Sequence, residues 1–245
     1  MLVKMTEVTV ERFNRDVLIA KDITTGNTEG LLQHIKEGWD INEPLVIDED
    51  GYRYLNILPI MFALYKCVED SIRFLVVHKA KLDVGSEHAF LYAVRYTYDT
   101  IIEYLVKNNA KVNVYSHVYA NAYMEAYIGN KYNHFALIER YGLLARQHAR
   151  DTVNTAVLDN NYIALDILIE LSVSLNNNKR TKNNLYGQTP LIYAVYHSDA
   201  SMIRYLLDNG ANPDYPNLIG KTPYTIAMEL NRQEILPLLK STRIE

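Results

Sequence analysis

Reactive side chains at fixed spacings are scarce in this chain. Asp48, Glu49 and Asp50 run into Gly51, but a calcium loop needs alternating oxygen ligands and a distal glutamate. Tyr52, Tyr54 and Pro59 stand in those places, which leaves an exposed acidic hairpin carrying two aromatics. Such a hairpin suits docking to a basic partner. His34, His78, His88, His117, His134, His148 and His197 are scattered, and none sits in a His-Glu-x-x-His pair. The single cysteine, Cys67, cannot build a thiolate zinc site. No Gly-x-Ser-x-Gly, phosphate-loop or dinucleotide pattern is present. Glu103, Glu125, Glu139 and Glu170 fall at unrelated positions and give no carboxylate pair. Lys179, Arg180 and Lys182 form a short basic run in Asn176–Asn184 without interleaved aromatics, which reads as a solvated, mobile loop. The expectation is a protein that is not an enzyme, with no metal and no cofactor.

Composition narrows the class further. The 245 residues are 49% hydrophobic with net charge −4, enough for a continuous core and without the basic face that phosphate backbones require. No nucleic-acid partner is expected. Met1–Phe13 alternates charged and apolar residues, unlike a signal peptide. No apolar run reaches membrane-spanning length, so a cytoplasmic protein without membrane attachment is expected. Lone Cys67 agrees with a reducing compartment. Twenty tyrosines against one tryptophan fit either a contact surface or the codon bias of an AT-rich genome.

What positions these side chains is a repeat. In Tyr186–Pro216 a glycine and a Thr-Pro pair precede two short apolar runs and an Asn-Gly-Ala-Asn-Pro-Asp segment. Gly187, Thr189, Pro190 and Ala194 recur 33 positions later as Gly220, Thr222, Pro223 and Ala227. Thr189 suits an N-cap and Pro190 the first helical turn. Leu191, Ala194 and Val195 fall on one helical stripe, and Met202, Ile203, Leu206 and Leu207 on another, with Gly210 as the stop. A second ruler runs through the chain: Ala63–Ala80, Ala93–Ala110, Ala126–Leu143, Ala156–Val173 and Ala194–Ala211 are each 17 apart. Trp39 takes the second place in a degenerate first unit, Gly26–Asn42, and Gly220 opens a last one. Seven units result.

Steps between the second members, from Trp39 onward, are 41, 30, 33, 30 and 38. The helix pairs keep their length, so the variation lies in the connections. Long fingers are expected at Glu43–Asn56 and Asn176–Asn184, and short ones before Ala93 and Ala156. Variable loops are where a repeat scaffold carries its binding chemistry.

A period near 33 with Thr-Pro-Leu and Leu-Leu-x-x-Gly-Ala resembles the ankyrin repeat. The resemblance is strong over Tyr186–Leu239, moderate over Leu58–Asn113 and weak over Ser116–Asn177. It implies an all-α, solenoid fold of about seven helix-turn-helix repeats with short or irregular β-hairpin fingers. As a single domain over 1–245, it would comprise an N-terminal extension at 1–23, repeats at 24–219 and a capping repeat at 220–245. Ile192 and Thr225 replace the family's usual histidine, so its hydrogen bond between fingers is expected to be missing. The uneven, Tyr- and Asn-rich style is similar to that of repeats by which viruses and intracellular bacteria engage host proteins. An F-box-like segment of the poxviral kind is not expected after Ser241–Glu245.

The resemblance also implies where a partner binds: on the concave side, at finger tips and at positions late in each first helix. Two and three residues beyond each first-helix alanine stand Tyr65 and Lys66, Arg95 and Tyr96, Ile128 and Gly129, Leu158 and Asp159, Tyr196 and His197, Glu229 and Leu230. Tyr65, Lys66, Arg95, Tyr96, Tyr196 and His197 are the expected partner-binding strip, being rich in hot-spot residue types. Asp48, Glu49, Asp50, Tyr52 and Tyr54 of the long first finger join them. The implied function is sequestering or blocking a partner protein, in the manner of a viral, phage or bacterial factor against host defence, in the host cytoplasm. The alternatives are a scaffold subunit of a stable complex and a nucleotide sensor. The oligomeric state stays open.

Overall fold

A computed structural model describes residues 9–48, 54–115, 121–141, 145–181 and 184–240. The chain divides into two compact units, the first ending at Lys131 and the second beginning at Tyr132. The first contains α1 (Val10–Thr25), α2 (Thr28–Lys36), strands β1 (Leu45–Asp48) and β2 (Tyr54–Ile57), α3 (Pro59–Lys66) and α4 (Glu69–Val77). It continues with β3 (Asp83–Val84), β4 (Glu87–His88), α5 (Ala89–Tyr96), α6 (Asp99–Lys107) and α7 (Ala122–Ile128). The second unit holds α8 (His134–Tyr141), α9 (Ala145–Leu158), α10 (Tyr162–Glu170), α11 (Pro190–His197), α12 (Ala200–Asp208), α13 (Pro223–Glu229) and α14 (Leu236–Leu239). Fourteen helices among the described residues are what a seven-unit frame of helix pairs predicts. The expected N-terminal extension contains most of α1, a first helix that the sequence frame left unassigned.

The alanines of the ruler occupy the tightest places. Ala63, Ala93, Ala126, Ala156, Ala194 and Ala227 are all 0% exposed. In the first unit α3 packs on α5 and α5 on α7; in the second α9 packs on α11 and α11 on α13. A methyl side chain at these buried positions leaves room for neighbouring first helices to pack on one another. Within each unit first helices also pack on their own second helices, as α3 does on α4, α5 on α6, α9 on α10 and α11 on α12. Met202, Ile203 and Leu206 on α12 are fully buried as the stripe requires.

Caps follow the local chemistry. Thr189 Oγ1 accepts from the Ile192 N–H at 3.2 Å, with Pro190 at the helix start. At Thr222 the box is reciprocal: its hydroxyl accepts from the Thr225 N–H, and Thr225 Oγ1 accepts from the Thr222 N–H at 2.9 Å. Thr225 therefore closes its own helix cap. The turns between paired helices are of two kinds. Four residues beyond the first-helix alanine, Cys67, Asn130, Asn160 and Asn231 are left-handed. Thr97 and Ser198 at the same place are instead extended. Their hydroxyls donate to Ala93 O and Val157 O. Cys67 is thus a turn residue, as its position in the frame implied.

The uneven fingers are bridged by one repeated hydrogen bond. Asn42 Oδ1 accepts from the Lys81 N–H, Asp83 Oδ2 from Lys111, and Asn176 Oδ1 from Asn212, at 2.7, 3.1 and 2.7 Å. These pairs lie 39, 28 and 36 residues apart, each two fewer than the step of 41, 30 or 38 read along the sequence. The connections vary while the bases of the fingers stay in register.

The long first finger is the antiparallel hairpin β1–β2, with Leu45 opposite Ile57 and Asp48 opposite Tyr54. The short finger before Ala93 is a hairpin of two residues a side, Asp83–Val84 against Glu87–His88. The expectation for Asn176–Asn184 is a solvated loop; Lys182 and Asn183 lie outside the described residues, but Asn176, Asn177, Asn178 and Asn184 are tied down. Asn178 Nδ2 donates to Pro216 O, Asn177 Oδ1 accepts from Arg150, and Asn184 bonds Gln188 twice. Thr181 Oγ1 donates to Asp151 Oδ1. Lys179 and Arg180 remain exposed. Among the described residues, no helix is long and apolar enough to cross a membrane.

Candidate functional site

In the first unit the ends of α3 and α5 bring four expected strip residues into one row. Tyr65 and Tyr96 meet edge to face, ring centroids 5.2 Å apart, a favoured aromatic geometry. Lys66 Nζ lies 4.7 Å from the Tyr65 ring centroid and the Arg95 guanidinium 5.0 Å from that of Tyr96. The row therefore alternates cation, ring, ring, cation. Its rigidity comes from beneath. Glu125 on α7 is 5% exposed and accepts from Arg95 Nη1 at 3.1 Å. A buried carboxylate needs such a partner, and the pairing aims Arg95 across Tyr96.

Beside the row opens a cleft of about 160 Å³, lined by Glu87, His88, Tyr92, Arg95, Tyr96 and Glu125 among others. Tyr92 Oη donates to Glu87 Oε2 at 2.8 Å, and the His88 ring bonds Asp83 Oδ1 at 2.8 Å. Asp83 also holds the Lys111 N–H, so the short finger is tied both to His88 at the start of α5 and to the segment that follows α6. Gly129, which follows α7, lies against the Arg95 carbonyl where a Cβ would collide. That close approach makes Gly129 packing rather than contact surface.

Burial, helped by the Glu87 charge, pushes the Tyr92 hydroxyl pKa well above its ordinary 10.0. Burial and the hydrogen bond to Asp166 at 2.6 Å do the same for Tyr205. Both phenols stay protonated in the fold at a pH where the unfolded chain ionises them. Their contribution is complete below the unfolded pKa and declines as pH rises past about 10. The urea midpoint should fall above that pH, and the fall should be shallower in Tyr92→Phe. An identical slope in both proteins would remove Tyr92 as a cause.

Tyr196 and His197 end α11 in the second unit, both exposed, with ring centroids 5.9 Å apart. Asp48 closes β1 and is exposed, and Tyr54 opens β2. Glu49, Asp50 and Tyr52 lie outside the described residues. Among the described residues no three His, Cys, Asp or Glu side chains cluster as metal ligands. Sequence reasoning missed Glu87, Tyr92 and Glu125. Glu125 had a signal, being a carboxylate directly before a ruler alanine, where only a paired charge fits.

A family model described as ankyrin repeats (3 copies) matches residues 153–245. A fowlpox virus protein described as an ankyrin repeat protein is 30% identical over 175 residues, 66% of this chain and 49% of that protein. The mitochondrial disaggregase of Rattus norvegicus is 35% identical over 79 residues, 32% of this chain and 11% of its own length. The chain thus spans about half of one relative and a tenth of the other. The crystal structure of the human ASB11 ankyrin repeat domain superposes with a TM-score of 0.63 at 18% identity, covering 91% of this chain and 97% of that one.

Proposed function

We propose, from the premise that the chain carries ankyrin repeats, that it is a non-enzymatic binding module that occupies and blocks a partner protein. Ankyrin repeats generally mediate protein–protein interaction. The observation that carries the reading is the row Lys66–Tyr65–Tyr96–Arg95, held from below by buried Glu125. Tyrosine and arginine dominate interface hot spots, and groups already fixed in place lose little freedom on binding. The neighbouring cleft of about 160 Å³ is below the roughly 300 Å³ at which small-molecule sites begin. That size favours a protein partner over a nucleotide. The fowlpox virus relative supports a role against a host protein.

The test is affinity capture from host-cell lysate with the native protein and with Tyr65→Ala/Tyr96→Ala, folding being checked by circular dichroism. Loss of two hot-spot rings should weaken capture by roughly 30-fold or more. Undiminished capture by the folded variant overturns the assignment of the strip. An inhibitor should also suppress an activity of the captured protein; fixed-stoichiometry co-purification with that activity intact would instead show a scaffold subunit.

A further inference from the structure

The two finger tips of the second unit share a pattern, Asn184-Leu185-Tyr186-Gly187-Gln188 and Asn217-Leu218-Ile219-Gly220-Lys221, 33 residues apart. In each, a buried asparagine builds the turn. Asn184 Oδ1 accepts from the Gln188 N–H at 2.7 Å, and Asn217 Oδ1 from the Lys221 N–H at 2.9 Å. Asn217 Nδ2 also donates to Gln188 Oε1, and the Leu218 N–H to Tyr186 O at 2.9 Å. The tips are therefore one rigid surface. Yet the residues they present are apolar: Leu185, Tyr186, Leu218 and Ile219 are 54, 60, 51 and 59% exposed. Single exposed apolar residues are ordinary, but a joined group of four marks an interaction surface.

The flank supplies the charge. The Asn178 carbonyl packs against Gly187, and Asn178 Nδ2 donates to Pro216 O at 2.9 Å. This sets Lys179 and Arg180 beside the tips, exposed and without an ion pair among the described residues. We propose that these linked finger tips dock an acidic segment of a partner protein whose apolar side chains cover Leu185, Tyr186, Leu218 and Ile219. An anionic membrane is the competing surface, but lipid recognition takes clusters of about four or more cations. Lys221 is already held by Glu229 at 2.6 Å, leaving Lys179 and Arg180 among the described residues at the tips. The site is additional to the strip on α3 and α5 and does not depend on it.

The probe is a short fluorescein-labelled peptide in which leucines alternate with Asp-Glu pairs, followed by anisotropy on the whole chain. One control replaces the acids by lysine, another the leucines by alanine. The acidic leucine peptide should bind about tenfold or more tightly than either control, and weaken as salt rises. Leu185→Asp/Ile219→Asp and Lys179→Glu/Arg180→Glu should each abolish that preference, with unfolding midpoints unchanged because all four side chains face solvent. Tyr65→Ala/Tyr96→Ala should leave it intact, so failure here and failure of the strip are told apart. Equal binding of all peptides, no binding, or binding that survives both finger variants overturns the proposal. So does preferential binding to phosphatidylserine vesicles, or self-association in sedimentation that the Leu185→Asp/Ile219→Asp variant abolishes.

Discussion

Replacing Asp16 with alanine is expected to destabilise the first unit by about 3 kcal/mol, the scale of removing one partner from a buried charge network. Asp16 on α1 is 0% exposed. Its Oδ2 accepts from the Val46 N–H of β1 at 3.0 Å, and its Oδ1 from Arg15 at 2.8 Å. Arg12 approaches Oδ2 at 3.6 Å and also donates to Pro44 O. Glu43, at the base of the first finger, takes both arginines at 3.2 and 2.9 Å. The carboxylate is therefore what fastens the hairpin to α1. Without it a buried strand N–H loses its acceptor and two arginines lose their common counter-ion. Hydrogen exchange should show the effect locally, with the Val46 amide exchanging faster than amides in α5. Glu43→Gln should cost about 0.5 kcal/mol, because that pair is partly exposed and Asp16 still holds both arginines. If Asp16→Ala melts with the native protein, the hairpin is held by its apolar face alone.

The second large effect is expected at Gly187. Its φ is +61°, and a Cβ there would run into the Asn178 carbonyl and lie 2.6 Å from Leu218 Cγ. Gly187→Ala combines left-handed strain with a backbone collision that no side-chain rotation relieves, for a loss of about 3 kcal/mol. Gly220, 33 residues on, has φ +81° but nothing near its missing Cβ. Gly220→Ala should therefore cost only the conformational part, about 1 kcal/mol. The pair is checked by chemical denaturation of the two variants side by side. Equal losses would mean that Asn178 yields to the methyl group.

Much of the framework was legible because it is local and periodic. Thr189-Pro190 reads as a helix start since an Oγ acceptor and a missing N–H suit those two positions alone. The 17-residue spacing found the alanines because close helix approach tolerates little else. The step lengths even anticipated the separations of Asn42–Lys81, Asp83–Lys111 and Asn176–Asn212. The candidate site was half legible. Counting along the frame placed Tyr65, Lys66, Arg95 and Tyr96 on neighbouring helix ends, but gave no reason to choose Glu125 or Tyr92. Those owe their roles to burial and pairing between helices, which no spacing rule contains. Asn176, Asn178 and Asn184 misled for a related reason: asparagine looks like solvated loop until its amide finds a backbone partner.

By itself, then, the amino-acid sequence determined the repeat, the helix pairs and the unevenness of the fingers, all set by contacts within about one period. The tertiary structure alone decided which equivalent positions differ. Gly187 and Gly220 occupy the same place in the same motif, and only the passing Asn178 carbonyl makes the first irreplaceable. Likewise the sequence alone does not say whether Leu185-Tyr186 and Leu218-Ile219 face a core or solvent. The buried asparagines turn them outward, because a hydrogen-bonded turn fixes the backbone and leaves its tip side chains with nothing to pack on.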